Sequence, residues 1–288
     1  MSEVSTAQKK ISIIDESLSN TSPSDCHLQM QLAGNHFSYS LIDRSRNKFI
    51  ALCDFRLPEP VQLEDLTSLF RLDDLAFDTS LLKKSISFYS SKSALMPAPL
   101  YKKDDAGKLL SLTVPFEDDD ILCADHLKYA ETVHLYALKK SFVNAITEEF
   151  GTIPIIHTGT VLIESELLKN KNNADHSMLL NVHQHAFDIV VTRGGGLVYY
   201  NSFAYQNSED FIYYILFIME QLKLNPENTP LRLTGDIEKT SATYLITNKY
   251  VRNIFFGEKP DAYEYSYGLR VMSPHACYSL LNQYLCVS

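Results

Sequence analysis

The chain has no tryptophan, only ten glycines in 288 residues, and no apolar run longer than the nine residues Phe211 to Met219. Glycine usage is about half the ordinary ~7%, so few loops can bring main-chain N–H donors up to a phosphate. A glycine-rich nucleotide enzyme is disfavoured. The nine-residue run is under half of the ~20 residues a helix needs to cross a bilayer, and no basic patch followed by an apolar stretch opens the chain. Neither export nor a transmembrane segment is expected. The five cysteines (Cys26, Cys53, Cys123, Cys277, Cys286) are odd in number and lack C-x-x-C spacing, which excludes a disulfide framework or a zinc site and suits a reducing cytoplasm. Lys and Arg total 26 against 35 Asp and Glu, a net charge of -9, so nucleic acid is not an expected partner. The common phosphate-loop, dinucleotide, metalloprotease and nucleophile-elbow motifs are absent.

What is present is a globular composition, 45% apolar and 21% charged. Residues 1–25 hold seven serines and one apolar cluster, Ile11 to Ile14, and read as a mostly flexible tail with one strand. Leu28 to Leu32, Phe37 to Ile42 and Phe49 to Phe55 then alternate as a three-stranded meander, with turns at Gly34–Asn35 and at Arg44 to Asn47. A helix around Leu63 to Phe70 and a strand at Ser85 to Ser90 follow.

The same order recurs later in the chain. A shift of 150 residues places Leu32 on Val182, Phe37 on Phe187, Tyr39 on Ile189, Leu41 on Val191, Phe49 on Tyr199 and Phe55 on Tyr205, with no gap in either meander. A shift of ~145 places the strand at Ile86 on Leu231. The expected fold class is therefore α/β with mixed sheets, a duplicated β-β-β-α-β unit in two lobes with a cleft between them. The expected division is a lobe over 26–176 that includes a linking β-α-β-α segment, a lobe over 177–257, and a loop with a helix over 258–288.

This duplicated order, with a helix returning from the chain's end, resembles the actin, sugar kinase and Hsp70 superfamily, the ribonuclease H-like actin ATPase fold. The passage His134 to Leu138, the helix Lys140 to Phe150, Gly151, the strand Ile153 to Ile156 and the helix to Leu168 resemble the lobe junction of the PilM pilus-assembly and GspL secretion-platform proteins. An uncharacterised bacterial family of that superfamily is the home implied. The resemblance also implies a nucleotide site in which each meander's first turn offers Asp, Gly and Ser or Thr. Here Gln31 and Asn181 stand where the carboxylates belong, and Ala33 and His183 where the glycines belong, with Gly34, Asn35 and Gln184 completing the turns. The adenosine side is implied at Thr234, Gly235 and Asp236, where Asp236 replaces a second glycine. With both carboxylates replaced by uncharged amides, most of the metal's anchoring is lost. The expectation is a cytoplasmic binding or scaffold module for a protein partner, without catalytic or metal-binding residues and with at most residual ATP binding. The alternative is an ATPase or small-molecule kinase of the same superfamily.

Other features favour structural explanations. Gly194 to Gly196 reads as a hairpin tip, Glu117 to Asp120 as a solvated loop, and His176, His183 and His185 as loop or interface histidines. The apolar helix Asp210 to Leu222 is expected between its own sheet and the other lobe. Partner contacts are expected on the tail or on Tyr263, Tyr265 and Tyr267.

Overall fold

The computed structural model describes residues 8–58, 69, 79–115 and 117–287. The expected helix at 63–70 lies outside the described residues apart from Leu69. The first strand, β1 (Gln8–Ile14), is followed by the meander β2 (Cys26–Ala33), β3 (His36–Asp43) and β4 (Lys48–Arg56). Alternation drives this unit: Cys26, Leu28, Met30 and Leu32 point into one core with Phe37, Tyr39 and Leu41. Strand β5 (Lys83–Phe88) runs parallel to β2. After β6 (Ser93–Pro97), helix α1 (Lys103–Ser111), β7 (Asp120–His126), β8 (Thr132–Lys139) and helix α2 (Lys140–Phe150), strand β9 (Ile155–His157) pairs parallel with β5.

Helix α3 (Thr158–Lys169) leads into the second meander, β10 (His176–Val182), β11 (Ala186–Arg193) and β12 (Gly196–Ala204). Helix α4 (Ser208–Gln221), β13 (Leu231–Gly235), helix α5 (Ala242–Tyr250) and β14 (Ile254–Phe256) complete it. The strand orders β4-β3-β2-β5-β9 and β12-β11-β10-β13-β14 are the same, with antiparallel meanders and parallel additions in both. Phe37 faces Leu32 as Phe187 faces Val182, and both meanders carry a bulge at the equivalent step, Leu41/Ile42 and Val191/Thr192. The duplication is real.

Its spacing differs from the ungapped shift. The second hairpin of the first copy has four loop residues, 44–47, while that of the second has two, Gly194 and Gly195, both at positive φ. Phe37 consequently pairs with Phe55 but Phe187 with Phe203, so the counterpart of Phe55 is Phe203 and not Tyr205. Likewise Met30 faces Ile86 while Leu180 faces Leu233, a shift of 147. A two-residue error is invisible to alternation because it leaves every side chain on its own face.

The expected tail is structured from residue 8 onward. Strand β1 pairs antiparallel with β4, and the segments Glu16–Asn20 and Pro23–Asp25 are 3-10 turns. The one strand expected there, at Ile11 to Ile14, is part of β1, while the two 3-10 turns lie in the stretch expected to be flexible. A third sheet, β6-β8-β7, lies beside the first lobe with α1 against it; β6 and α1 were not expected. Helix α4 buries Phe211, Ile215, Ile218 and Met219 against its own sheet, but Tyr213 and Phe217 are exposed with their rings stacked. It is not enclosed between the lobes.

Asp120 is buried rather than solvated: Lys92 lies 2.6 Å and Lys139 3.2 Å from it. Burial would raise its carboxyl, but hydrogen bonds from Lys92, the Glu117 amide and Lys139 hold it down at about 2.

The end of the chain forms β15 (Glu264–Tyr265), α6 (Tyr267–Val271), α7 (Tyr278–Asn282) and α8 (Tyr284–Val287). Strand β15 adds to β4, and Tyr265 stacks on Phe49. Helix α7 covers the polar face of β2 and β5: Gln29 donates to the Leu280 carbonyl, and Gln283 bonds both Ser85 and Ser87. At the lobe junction, Glu166 of α3 is buried between Arg232 of β13 at 2.6 Å and the Tyr278 hydroxyl at 2.9 Å.

Candidate functional site

The first turns of both meanders face one cleft of about 360 Å³. Of the nine residues expected there, Gln31, Gly34, Asn35, Asn181, His183, Gln184, Gly235 and Asp236 line it. Thr234 does not; it is fully buried, and its hydroxyl donates to the Leu180 carbonyl and to Asn181 Oδ1 at 3.1 Å.

Each candidate has a structural engagement. Gln31 accepts from Ser279 at 2.9 Å, which ties it to α7. Asn35 donates to the Leu57 carbonyl and accepts from the Leu57 amide, closing the chain exit from β4. Gly34 has φ +60, as a tight turn requires. Gly235 has φ +80, and a Cβ there would lie 2.2 Å from the Val182 carbonyl oxygen, which accepts from the Asp236 amide. The close approach of β13 to β10 by itself demands glycine.

Side-chain contacts cross the cleft. The guanidinium of Arg56, the last residue of β4, donates to the Asp236 carboxylate just beyond β13. His36 approaches the same carboxylate to 4.0 Å and Asp54 to 3.7 Å, and Ser38 donates to Asp54. Deeper in, Tyr89 after β5 packs its ring 4.0 Å from the imidazole of His183. His183 Nε2 lies 2.9 Å from Asp188, a fully buried carboxylate that also accepts from Ser202 and Tyr200. Burial would raise the Asp188 carboxyl, but the hydrogen bond and charge of His183, with Ser202, hold it below its ordinary value. The imidazole is thus fixed from both sides.

Sequence reading missed Arg56, His36, Asp54, Tyr89 and Asp188. Asp188 did carry a signal, as a carboxylate in the otherwise apolar run Ala186 to Val191. Arg56 and Asp236 are 180 residues apart, and nothing local links them. His176 and His185 do not join His183, and among the described residues no three His, Cys, Asp or Glu side chains are grouped to hold a metal ion.

Residues 15–254 match the family described as "protein of unknown function (DUF3822)". The chain belongs to this family. No curated protein matches it in sequence. Among solved structures it is similar to a Bacteroides thetaiotaomicron protein with actin-like ATPase fold and unknown function, with TM-score 0.73 and 22% identity over 82% of this chain and 91% of that one. It is also similar to a chain of the PilM–PilN type IV pilus biogenesis complex, with TM-score 0.57 and 13% identity over 90% and 98%. The fold is that of the actin-like ATPases. Among the described residues of this member of the DUF3822 family, no helix is long and apolar enough to cross a membrane.

Proposed function

We propose that this protein is a cytoplasmic, actin-like binding or scaffold module that does not hydrolyse ATP. One observation carries the reading: the space between the two turns is bridged by side chains, Arg56 to Asp236 and Tyr89 to His183. In an active site of this fold, phosphate and metal would occupy that space. The residues present fit a magnesium nucleotide poorly. The Asn181 carbonyl oxygen accepts from Thr234 and that of Gln31 from Ser279, and neither amide carries the charge that anchors a divalent cation. Asp236, a carboxylate lining the cleft, is occupied by Arg56. Gly235, the residue most suggestive of an adenosine contact, is required by strand packing alone.

A protein partner fits a fold that keeps its lobes without this chemistry, and the similar PilM chain is in a complex with PilN. For the contact surface, the structure shifts attention from the tyrosine loop. Tyr265 is buried and Tyr263 half-buried against Phe49, whereas Tyr267 is exposed.

The test is paired. Calorimetry with magnesium ATP and a phosphate-release assay on the intact protein are expected to give no binding heat and no release above a heat-treated control, while affinity purification from native cells retrieves a reproducible protein partner. Tight nucleotide binding with no partner would replace this reading by an ATPase or small-molecule kinase.

A further inference from the structure

The chain is acidic overall, yet one cavity outside the cleft is basic. Its volume is about 620 Å³, and it lies where β2, β5 and β9 begin, at the opposite end of the first-lobe sheet from the turns of the cleft. His27, Arg44, Lys83 and Lys84 line it, and no Asp or Glu does among its described lining residues. In a chain of net charge -9, such a concentration of one sign sets up a local positive field.

The geometry fixes Arg44 without neutralising it. Arg44 spends its side-chain hydrogen bonds on the main-chain carbonyls of Ser24 and Asp25, which orient the guanidinium and leave its charge uncompensated by these partners. Lys83 opens β5 with its side chain exposed, directly across from His27 in the ladder. The His27 ring responds to this field: burial first, then the charges of Arg44 and Lys83, push its pKa down to about 4, so it adds no charge of its own near neutrality. Leu82, Phe150, Ile153, Pro154 and Val287 supply an apolar part of the wall, beside the polar Ser80, Thr152 and Tyr284. Lys84 lies over the Phe150 ring at 5.9 Å.

We propose that this cavity binds an amphiphilic organic anion, with an acyl or aryl body against Leu82, Phe150 and Ile153 and a carboxylate or phosphate head against Arg44 and Lys83. The volume suits a small organic ligand, for which pockets of ~300–1,000 Å³ are usual, and exceeds what a bare inorganic anion would fill. The site is remote from the interlobe cleft, so it stands or falls independently of whether nucleotide binds there.

Calorimetry of the full chain with decanoate and with decyl phosphate, each below its micelle-forming concentration, tests this, with decanol as the uncharged probe. At least one anion is expected to bind with a single-site isotherm that weakens with added salt, and decanol is expected to bind at least about tenfold more weakly. Lys83→Glu, at an exposed strand start, is expected to weaken the anion by about tenfold or more while circular dichroism and melting stay as in the parent. Arg44→Gln provides a second variant, with a smaller loss in the same direction. Equal binding of decanol and the anions, an unchanged affinity in folded Lys83→Glu, or no binding of either anion at millimolar concentration overturns the proposal.

Discussion

Arg56 and Asp236 join the two lobes side chain to side chain, one at the end of β4 and the other just past β13. Both side chains keep about a third of their surface exposed, 33% and 38%, so water and salt screen the pair and its worth in global stability is small. Its effect is on the cleft. Arg56→Ala is expected to cost no more than about 1 kcal/mol in urea unfolding, with a coupling to Asp236→Ala of similar size in a double-mutant cycle. Amide exchange at the turns 34–35 and 183–185 is expected to accelerate in the same variant. Exchange unchanged from the parent would show that the pair does not hold the cleft.

Gly235→Ala has a sharper structural consequence. A Cβ at φ +80 and 2.2 Å from the Val182 oxygen meets backbone that is locked in the β10–β13 ladder. The expected loss is more than about 2 kcal/mol in denaturant unfolding, with or without nucleotide in solution. A variant as stable as the parent would mean that β13 can shift, and the glycine would then need another explanation.

The pH dependence of stability should carry two opposing signatures. The folded-state pKa of His27 is depressed to about 4 by burial, followed by Arg44 and Lys83, so its stability contribution is present above the unfolded value near 6.5 and is lost as pH falls from there toward 4. That loss is about 3 kcal/mol at most, and His27→Gln should remove it from the stability-versus-pH curve. Asp125 runs the other way. Burial raises it to about 6 against the hydrogen bonds it accepts from the His157 amide, Thr160 and Tyr136, so its contribution is present below 3.8 and lost as pH rises through 6. Relative to the parent, Asp125→Asn should grow more stable as pH rises across this window. Matching slopes for parent and variants would contradict both assignments.

The late tyrosines divide by environment. Tyr265 is stacked 5.5 Å from Phe49 and donates to the Pro260 carbonyl, and Tyr265→Ser is expected to cost about 3 kcal/mol in thermal or urea unfolding. Tyr267 is 82% exposed, and Tyr267→Ser is expected to stay within ~0.5 kcal/mol of the parent. Only the second substitution can therefore report on partner binding free of a folding defect; equal losses in both would place Tyr267 in the core as well.

The duplicated architecture was legible because alternation at Leu28, Met30 and Leu32 and at Met178, Leu180 and Val182 is a local property, and so is the turn between paired strands. The two-residue slip at Phe55 was not, because a shift by one full pleat changes no side chain's face. The partner of β1, and β15 altogether, escaped for a related reason: both are held by main-chain bonds to β4 that composition does not encode. In the cleft, residue types were read correctly but their partners were not. Gln31 looked like a weakened metal ligand, yet it faces Ser279, 248 residues away. Tyr89, Arg56 and Asp236 acquire meaning only once the lobes are set against each other.

The helix that covers β2 and β5 has a consequence in time as well as in space. Gln29 waits for the Leu280 carbonyl, and Ser85 and Ser87 for Gln283, partners 251, 198 and 196 residues further along the chain. During synthesis the first lobe can collapse around Leu28, Met30 and Phe37, but the polar face of its central strands stays open to water until Leu280 and Gln283 have been made. Contacts of such long range are slow to form. Final assembly of the first lobe therefore waits for the segment 278–283 to emerge from the ribosome, with Tyr278 bringing Glu166 and Arg232 under cover at the same moment.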